Sequence, residues 1–266
     1  LGESKNMSLV KINIGTFNIN VLNNDWVGVS IINGNSWEPH ITFFLDRNLK
    51  KNSVFIDVGS NYGWHSIMSS NLCETVYSFE PQRYIHDIQK ENIKQNNITN
   101  IKLFNYGIGN TNEQLNMSPI NYNESVNIGD LSIGLGGEIV EVKTLDSLTL
   151  KKVDIIKIDV QGFEKFVIEG GINTINEHKP LLIIEFEDHQ LRKFNYGVID
   201  LFNVIKDMGY YIYLLDYHYP SDHVCVHKDS LSNFIEDNHD WIKPLTESNH
   251  LNNNLENGVT EKITYN

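Results

Sequence analysis

The stretch VFIDVGSNYG (Val54 to Gly63) carries Asp57, Gly59, Asn61 and Gly63 where an apolar run breaks into a glycine-punctuated turn. Such a turn can hold a ligand through backbone amides and a nearby carboxylate. In dinucleotide-binding turns the second glycine lets the backbone approach a pyrophosphate; here Asn61 stands in that place and Trp64 in that of the third. Asp57 lies two residues before the first glycine, where a carboxylate repels a diphosphate and pairs with an ammonium. Glu80 ends the next apolar run, 23 residues after Asp57, where an acidic side chain can accept hydrogen bonds from both hydroxyls of a ribose. A ligand with an ammonium, a free ribose and no phosphate satisfies these constraints. S-adenosylmethionine is such a ligand.

A second constellation follows in DIIKIDVQG and LLIIEFE. Asp159 reads either as a carboxylate in a ligand crevice or as the N-cap of a helix beginning near Phe163, and the position at a strand end favours the crevice. Glu185 follows four apolar residues and reads as partly buried, whereas Glu187, Asp188 and His189 read as a solvated rim. Asp159, Glu185 and His189 would make a metal site only if three loops converged, so none is assigned. His65, just inside the next helix, fits a general base or substrate contact as well as a local hydrogen-bond donor. The segment Trp37, Glu38, Pro39, His40 reads first as a helix start with proline in its first turn, with stacking of Trp37 on a sugar as its rival. His218, Asp222 and His223 read as surface residues beside a hairpin turn.

The elements that must position these groups alternate strand and helix. From Leu9 to Ile32 short β-like runs (VKINI, FNINVL, WVGVSII) predict a β-rich flank, followed by a helix from Glu38 to Leu49. Strands are expected at 76–79, 102–106 and 181–187, within 54–63 running into its turn and within 154–162, with helices near 64–70, 83–94 and 163–170, which implies a parallel sheet. Gly129 to Gly137 reads as a long functional loop. Leu201, Phe202, Ile205 and Met208 fall at helical spacing, and runs at 211–216 and 223–227 predict a closing hairpin. The expected organisation is a flank over 1–50, a main domain over 51–243 and a polar, mobile tail over 244–266.

Of 266 residues, 40% are apolar and 21% charged, enough for a sizeable core. The 34 acidic against 21 basic residues give a net charge of −13, which disfavours nucleic acid as a partner. No apolar run approaches the ~18 residues of a membrane span, and no leader opens the chain, so a soluble protein of the cytoplasm, or of a host cytoplasm if viral, is expected. Leu1 is not an initiator and leaves room for upstream domains. Cys73 and Cys225 lack metal-ligand spacing and read as buried and inert. The asparagine excess and the three arginines suit a low-GC genome.

The segments VFIDVGSNYGWHS, SFEP, VKTLDSL, IIKIDVQGFEKFVIEGG and LLIIEFE, in this order, resemble the FkbM family of S-adenosylmethionine-dependent methyltransferases. The resemblance covers roughly residues 38–187. It implies an α/β, Rossmann-like class I methyltransferase with a mostly parallel seven-stranded sheet and a C-terminal hairpin. It also implies O-methylation, often of a sugar hydroxyl, with a carbohydrate or other hydroxyl-bearing small molecule as partner. By the same resemblance Asp57, Gly59, Ser60, Asn61, Tyr62 and Gly63 face the methionine end, Glu80 and Pro81 the ribose, and Asn105, Tyr106 and Gly107 the adenine. Asp159, Val160 and Gln161 fall near the transferred methyl. Gln161 stands where the family frequently has Glu. The proton acceptor is expected to be Asp159, with Glu185 and His65 as alternatives. Rival readings are a non-catalytic module of a larger polypeptide, a non-sugar acceptor and a nicotinamide oxidoreductase, the last opposed by Asn61 and Trp64.

Overall fold

The computed structural model describes residues 7–34, 36–118, 120, 131–134, 136–216 and 219–238. Its centre is a seven-stranded sheet built from β3 (Val54–Val58), β4 (Thr75–Phe79), β5 (Ile101–Phe104), β9 (Ile155–Ile158), β10 (Leu181–Glu185), β11 (Tyr210–Asp216) and β12 (Tyr219–His227). The spatial order is β11-β12-β10-β9-β3-β4-β5. β5, β4, β3, β9 and β10 run parallel, and β12 is antiparallel to both β10 and β11. This is the mostly parallel, seven-stranded α/β sheet that the sequence implied, closing hairpin included.

Strand alternation divides the core between the two faces of the sheet. Ile56, Ile156, Leu182 and Ile184 pack with residues of α5 (Glu164–Gly170) and α8 (Val198–Asp207) in one cluster. Phe55, Ile155, Ile183 and Val224 pack in the other, with residues of α2 (Pro39–Asn48) and α9 (Leu231–Asp237). Every residue of β3 and β9 is buried, as central strands covered on both faces must be. Helix α3 (Trp64–Ser69) follows the turn after β3, α6 (Ile172–His178) precedes β10, and the short α7 (Asp188–Leu191) follows it. A smaller sheet of β6 (Gly107–Ile108), β7 (Glu113–Met117) and β8 (Glu138–Lys143) lies between β5 and β9 in the chain.

The flank contains one hairpin, β1 (Leu9–Ile14) with β2 (Phe17–Leu22). The edge of β2 is covered by asparagines of α4 (Arg83–Gln95) and its C-cap: Asn92 Oδ1 accepts from Asn20 N (2.7 Å) and Asn96 Oδ1 from Asn18 N (2.8 Å). The third expected strand, WVGVSII, is instead helix α1 (Trp26–Gly34). Asp25 Oδ2 accepts from Gly28 N (2.9 Å) at its start, and a Cβ on Gly28 would stand 2.0 Å from Leu22 O. Close packing on β2 and the Asp25 cap override the β preference of the Val and Ile residues.

A second correction concerns the hairpin. Asp222 and His223 are buried, because β12 begins at Tyr219 and places Asp222 opposite Glu185 in register. His218, residues 129, 130 and 135 of the expected loop, and the tail beyond 238 lie outside the described residues.

Candidate active site

The sheet has its topological switch point between β3 and β9, where chain order runs outward in both directions. Ligands of open α/β sheets bind over the C-terminal ends of such strands. A cavity of about 520 Å³ opens there, within the range of small-molecule sites.

The turn after β3 forms one wall. Gly59 (φ +81°) packs so closely on the β9 loop that a Cβ would meet Asp159 O at 1.9 Å. Gly59 N and Ser60 N both donate to Phe79 O (3.0 Å each), tying the turn to β4. Asn61 is left-handed (φ 51°), a conformation asparagine tolerates, and its Oδ1 accepts from Tyr62 N (2.8 Å). Glu80 Oε2 accepts from Asn61 N and Oε1 from Gln82 N, both at 2.9 Å. Burial pushes the Glu80 carboxyl up, the two amides pull it back, and it rests at about 7.

Gly59, Ser60, Asn61, Tyr62, Glu80 and Pro81 all line the cavity, as do His65, Asp159, Val160, Gln161 and Glu185. Five expected positions do not. Asp57 lies beneath the turn, where its Oδ2 accepts from Ser66 Oγ (2.6 Å) and its buried Oδ1 has no partner among the described residues. Gly63 backs onto Gln89, whose Oε1 accepts from Ser60 Oγ (2.9 Å). Asn105 Nδ2 donates to the carbonyls of Glu80 and Pro81 (3.0 Å each) and shapes that corner from outside. Tyr106 packs on Phe79 and Phe104, and Gly107 lies behind Ile133.

The opposite wall is an ionic network. Lys157, 3% exposed, donates from Nζ to Asp159 Oδ2 at 3.0 Å and stands 4.0 Å from Glu38 Oε2. Burial works against the charged ammonium, but Asp159, Glu38 and Asp57 outweigh it and raise the Lys157 pKa. Glu38 Oε2 also takes His65 Nε2 at 2.8 Å. Burial alone would raise the Glu38 carboxyl; Lys157 and His65 hold it down at about 2. Gln161 Nε2 bridges Asp159 Oδ1 (2.9 Å) and Glu185 Oε2 (3.0 Å). Burial and the charges of Asp159 and Asp222 lift Glu185 well above the usual carboxylate range. Asp222, bonded to His40 Nε2 at 2.6 Å, is lifted by burial to about 6.

The N-cap alternative for Asp159 does not apply, since α5 begins at Glu164 with Phe163 at its cap. The sequence reading omitted Lys157, Glu38 as a site residue, and Asp222. A lysine inside an apolar central strand was a signal for the first, because such a charge must find partners. Glu164 was omitted too: its Oε1 accepts from the amides of Val160 and Gly162 (3.1 and 3.2 Å), and burial lifts it to about 7.

Among the described residues no group of three His, Cys, Asp or Glu side chains could hold a metal ion. His189 is exposed and paired with Glu187 (3.1 Å).

Residues 57–212 match the family model described as the methyltransferase FkbM domain. Hexuronic acid methyltransferase AglP of Haloferax volcanii is 30% identical over 145 residues, which span 52% of this chain and 58% of that relative. A solved FkbM methyltransferase of Methylobacillus flagellatus aligns with a TM-score of 0.48 and 16% identity, over 67% of this chain and 44% of that one. SMU.1697c of Streptococcus mutans, solved in complex with SAH, aligns at 0.45 and 17%, over 70% and 94%.

Proposed function

The chain belongs to the FkbM methyltransferase domain family, and on that premise we propose that it is an S-adenosylmethionine-dependent O-methyltransferase acting on a sugar hydroxyl. The observation that carries the reading is Glu80. Its carboxylate is fixed at the end of β4, against the turn after β3, by two backbone amides and still has lone pairs for ribose hydroxyls. The cavity wall supports it: among the described residues six carboxylates line it against one lysine, which is already paired, a surface suited to an ammonium and a sulfonium and unsuited to a diphosphate. The hexuronic acid in the name of AglP supports a sugar as the acceptor class.

When bound, S-adenosylmethionine supplies a methyl group on a sulfonium, a carbon already activated for transfer to oxygen. The protein's work is then to align the acceptor hydroxyl and accept its proton. Gly59 to Tyr62, Glu80 and Pro81 would hold the cofactor. Asp159 is the proposed proton acceptor, since a carboxylate offers about four lone-pair sites and Lys157 and Gln161 occupy only two of its own. Glu185 and His65 face the same cavity as alternatives.

Radiolabelled methyl transfer to pooled glycans tests the activity. Cofactor binding without transfer to glycans or small alcohols would favour a non-catalytic module. Replacing Glu80 by alanine should weaken S-adenosylhomocysteine binding about 10-fold to 150-fold by calorimetry, with no NAD binding in either protein. Because the Glu80 carboxyl ionises near 7 and its ionised form is the better acceptor, affinity should rise about tenfold from pH 6 to pH 8. A flat pH dependence in the parent protein would remove Glu80 from the ribose.

A further inference from the structure

Part of the cavity wall lies outside the family-matched segment. Trp26, Trp37 and Glu38 come from the N-terminal flank, and each is unusual for its position. Trp26 is 67% exposed on α1, a costly placement for so large an aromatic surface unless a ligand covers it. Trp37, on the segment between α1 and α2, is only partly buried on the same cavity. Glu38 adopts a left-handed conformation (φ 41°, ψ 63°) directly before Pro39, a combination that costs a non-glycine residue energy and that the neighbouring contacts must hold.

Those contacts leave the carboxylate half engaged. His65 and Lys157 both approach Oε2, while Oε1 makes no hydrogen bond among the described residues and is not a buried orphan. Glu38 therefore presents one oxygen free of protein hydrogen bonds on the same cavity wall as two tryptophans. No free cation accompanies it among the described residues: Lys157 is the only lysine or arginine of theirs lining the cavity and is bound to Asp159. The segment between Lys102 and Lys143, which contributes Met117, Leu131 and Ile133 to the wall, contains no basic residue at all.

Building on the function proposed above, we infer that the flank is the acceptor-binding element. Glu38 accepts hydrogen bonds from the acceptor ring, Trp26 and Trp37 stack on its C–H faces, and the acceptor is a sugar that carries no acid group. Aromatic faces suit the apolar side of a pyranose, and a fixed carboxylate suits hydroxyl or ammonium donors. A uronate would bring a second negative charge against Glu38, with no unpaired lysine or arginine among the described lining residues to receive it. The acceptor thus differs in charge from the hexuronic acid in the name of the archaeal relative.

Titration calorimetry on the full chain saturated with S-adenosylhomocysteine tests this, with the methyl glycosides of glucose, glucosamine and glucuronic acid as probes. The glucoside or the glucosaminide should bind at least about 10-fold more tightly than the glucuronide, the strength of one charge-assisted hydrogen bond. A preference for the glucosaminide assigns ammonium as the donor to Glu38; equal binding of glucoside and glucosaminide assigns hydroxyls. Trp26→Ala, at an exposed site, should weaken the favoured sugar about fivefold or more with S-adenosylhomocysteine affinity unchanged, and Glu38→Gln should weaken the sugar to a similar extent. Equal or tighter binding of the glucuronide, no binding of any probe, or unaltered sugar affinity in both variants overturns the inference. Absence of S-adenosylhomocysteine binding to the parent chain overturns the proposed function along with it, whereas cofactor binding without any sugar response overturns this inference alone.

Discussion

Replacing Asp159 by asparagine is expected to lower kcat by a factor of about 10² to 10⁴ while cofactor affinity stays nearly constant. The substitution keeps the shape and an oxygen toward Lys157 but removes proton acceptance. A carboxylate is a weak base toward a sugar alcohol. It becomes competent as the hydroxyl oxygen acidifies during bond formation, and water exclusion helps. Asp159 is held on both sides, by Lys157 at Oδ2 and Gln161 at Oδ1, and so presents its remaining lone pairs in a set direction. Rapid-quench turnover with labelled cofactor is the measurement. Near-native turnover in Asp159→Asn, with turnover abolished in Glu185→Gln or His65→Asn, transfers the proton to one of those residues.

The largest loss of stability is expected from Lys157→Met, which should cost about 3 to 5 kcal/mol and lower Tm by about 10 °C. The side chain is 3% exposed and stands between Asp159 and Glu38 at 3.0 and 4.0 Å. Methionine fills most of the volume, so the loss comes from leaving two carboxylates facing each other without their cation. A pH signature accompanies it. Glu38 is held at about 2, below its unfolded value, so its favourable contribution is present above pH ~4.5 and lost as pH falls toward 2. Without Lys157 that loss should begin at a higher pH. Thermal melts from pH 3 to 7 measure both effects, and an unchanged Tm at pH 7 would show that the lysine carries no such burden.

Much of the frame was legible because it is local. VFIDV and IIKI are too apolar and too short to be anything but central strands, and the glycines of the turn after Val58 announce a tight crossing. Glu80 was legible from its spacing to Asp57, because one strand-helix-strand unit sets the distance between two neighbouring strand ends. Asp57 itself shows the limit of such reasoning. Its place at a strand end was correct, but the period-2 face and the hydroxyl of Ser66, itself in contact with that of Ser78, hold it beneath the turn. Trp26 to Gly34 shows another limit: β-branched residues predict strand, and only the packing of Gly28 on Leu22 and the cap from Asp25 make helix the lower-energy form.

The sequence by itself determined the doubly covered parallel strands, the glycine-punctuated turn after β3 and the acidic strand ends, since each depends on residues within one βαβ unit. Only the tertiary structure decided which charges meet. Glu38, His65, Glu185 and Asp222 come from four different elements and converge on the cavity beside Lys157 and Asp159 at the end of β9, with the Glu38–His65, Lys157–Asp159 and Lys157–Glu38 contacts at 2.8, 3.0 and 4.0 Å. Coulomb energies change steeply over that range and with burial. No pattern of residue types along the chain contains that information. It exists once β9 has been inserted beside β3 and the flank has folded back over both.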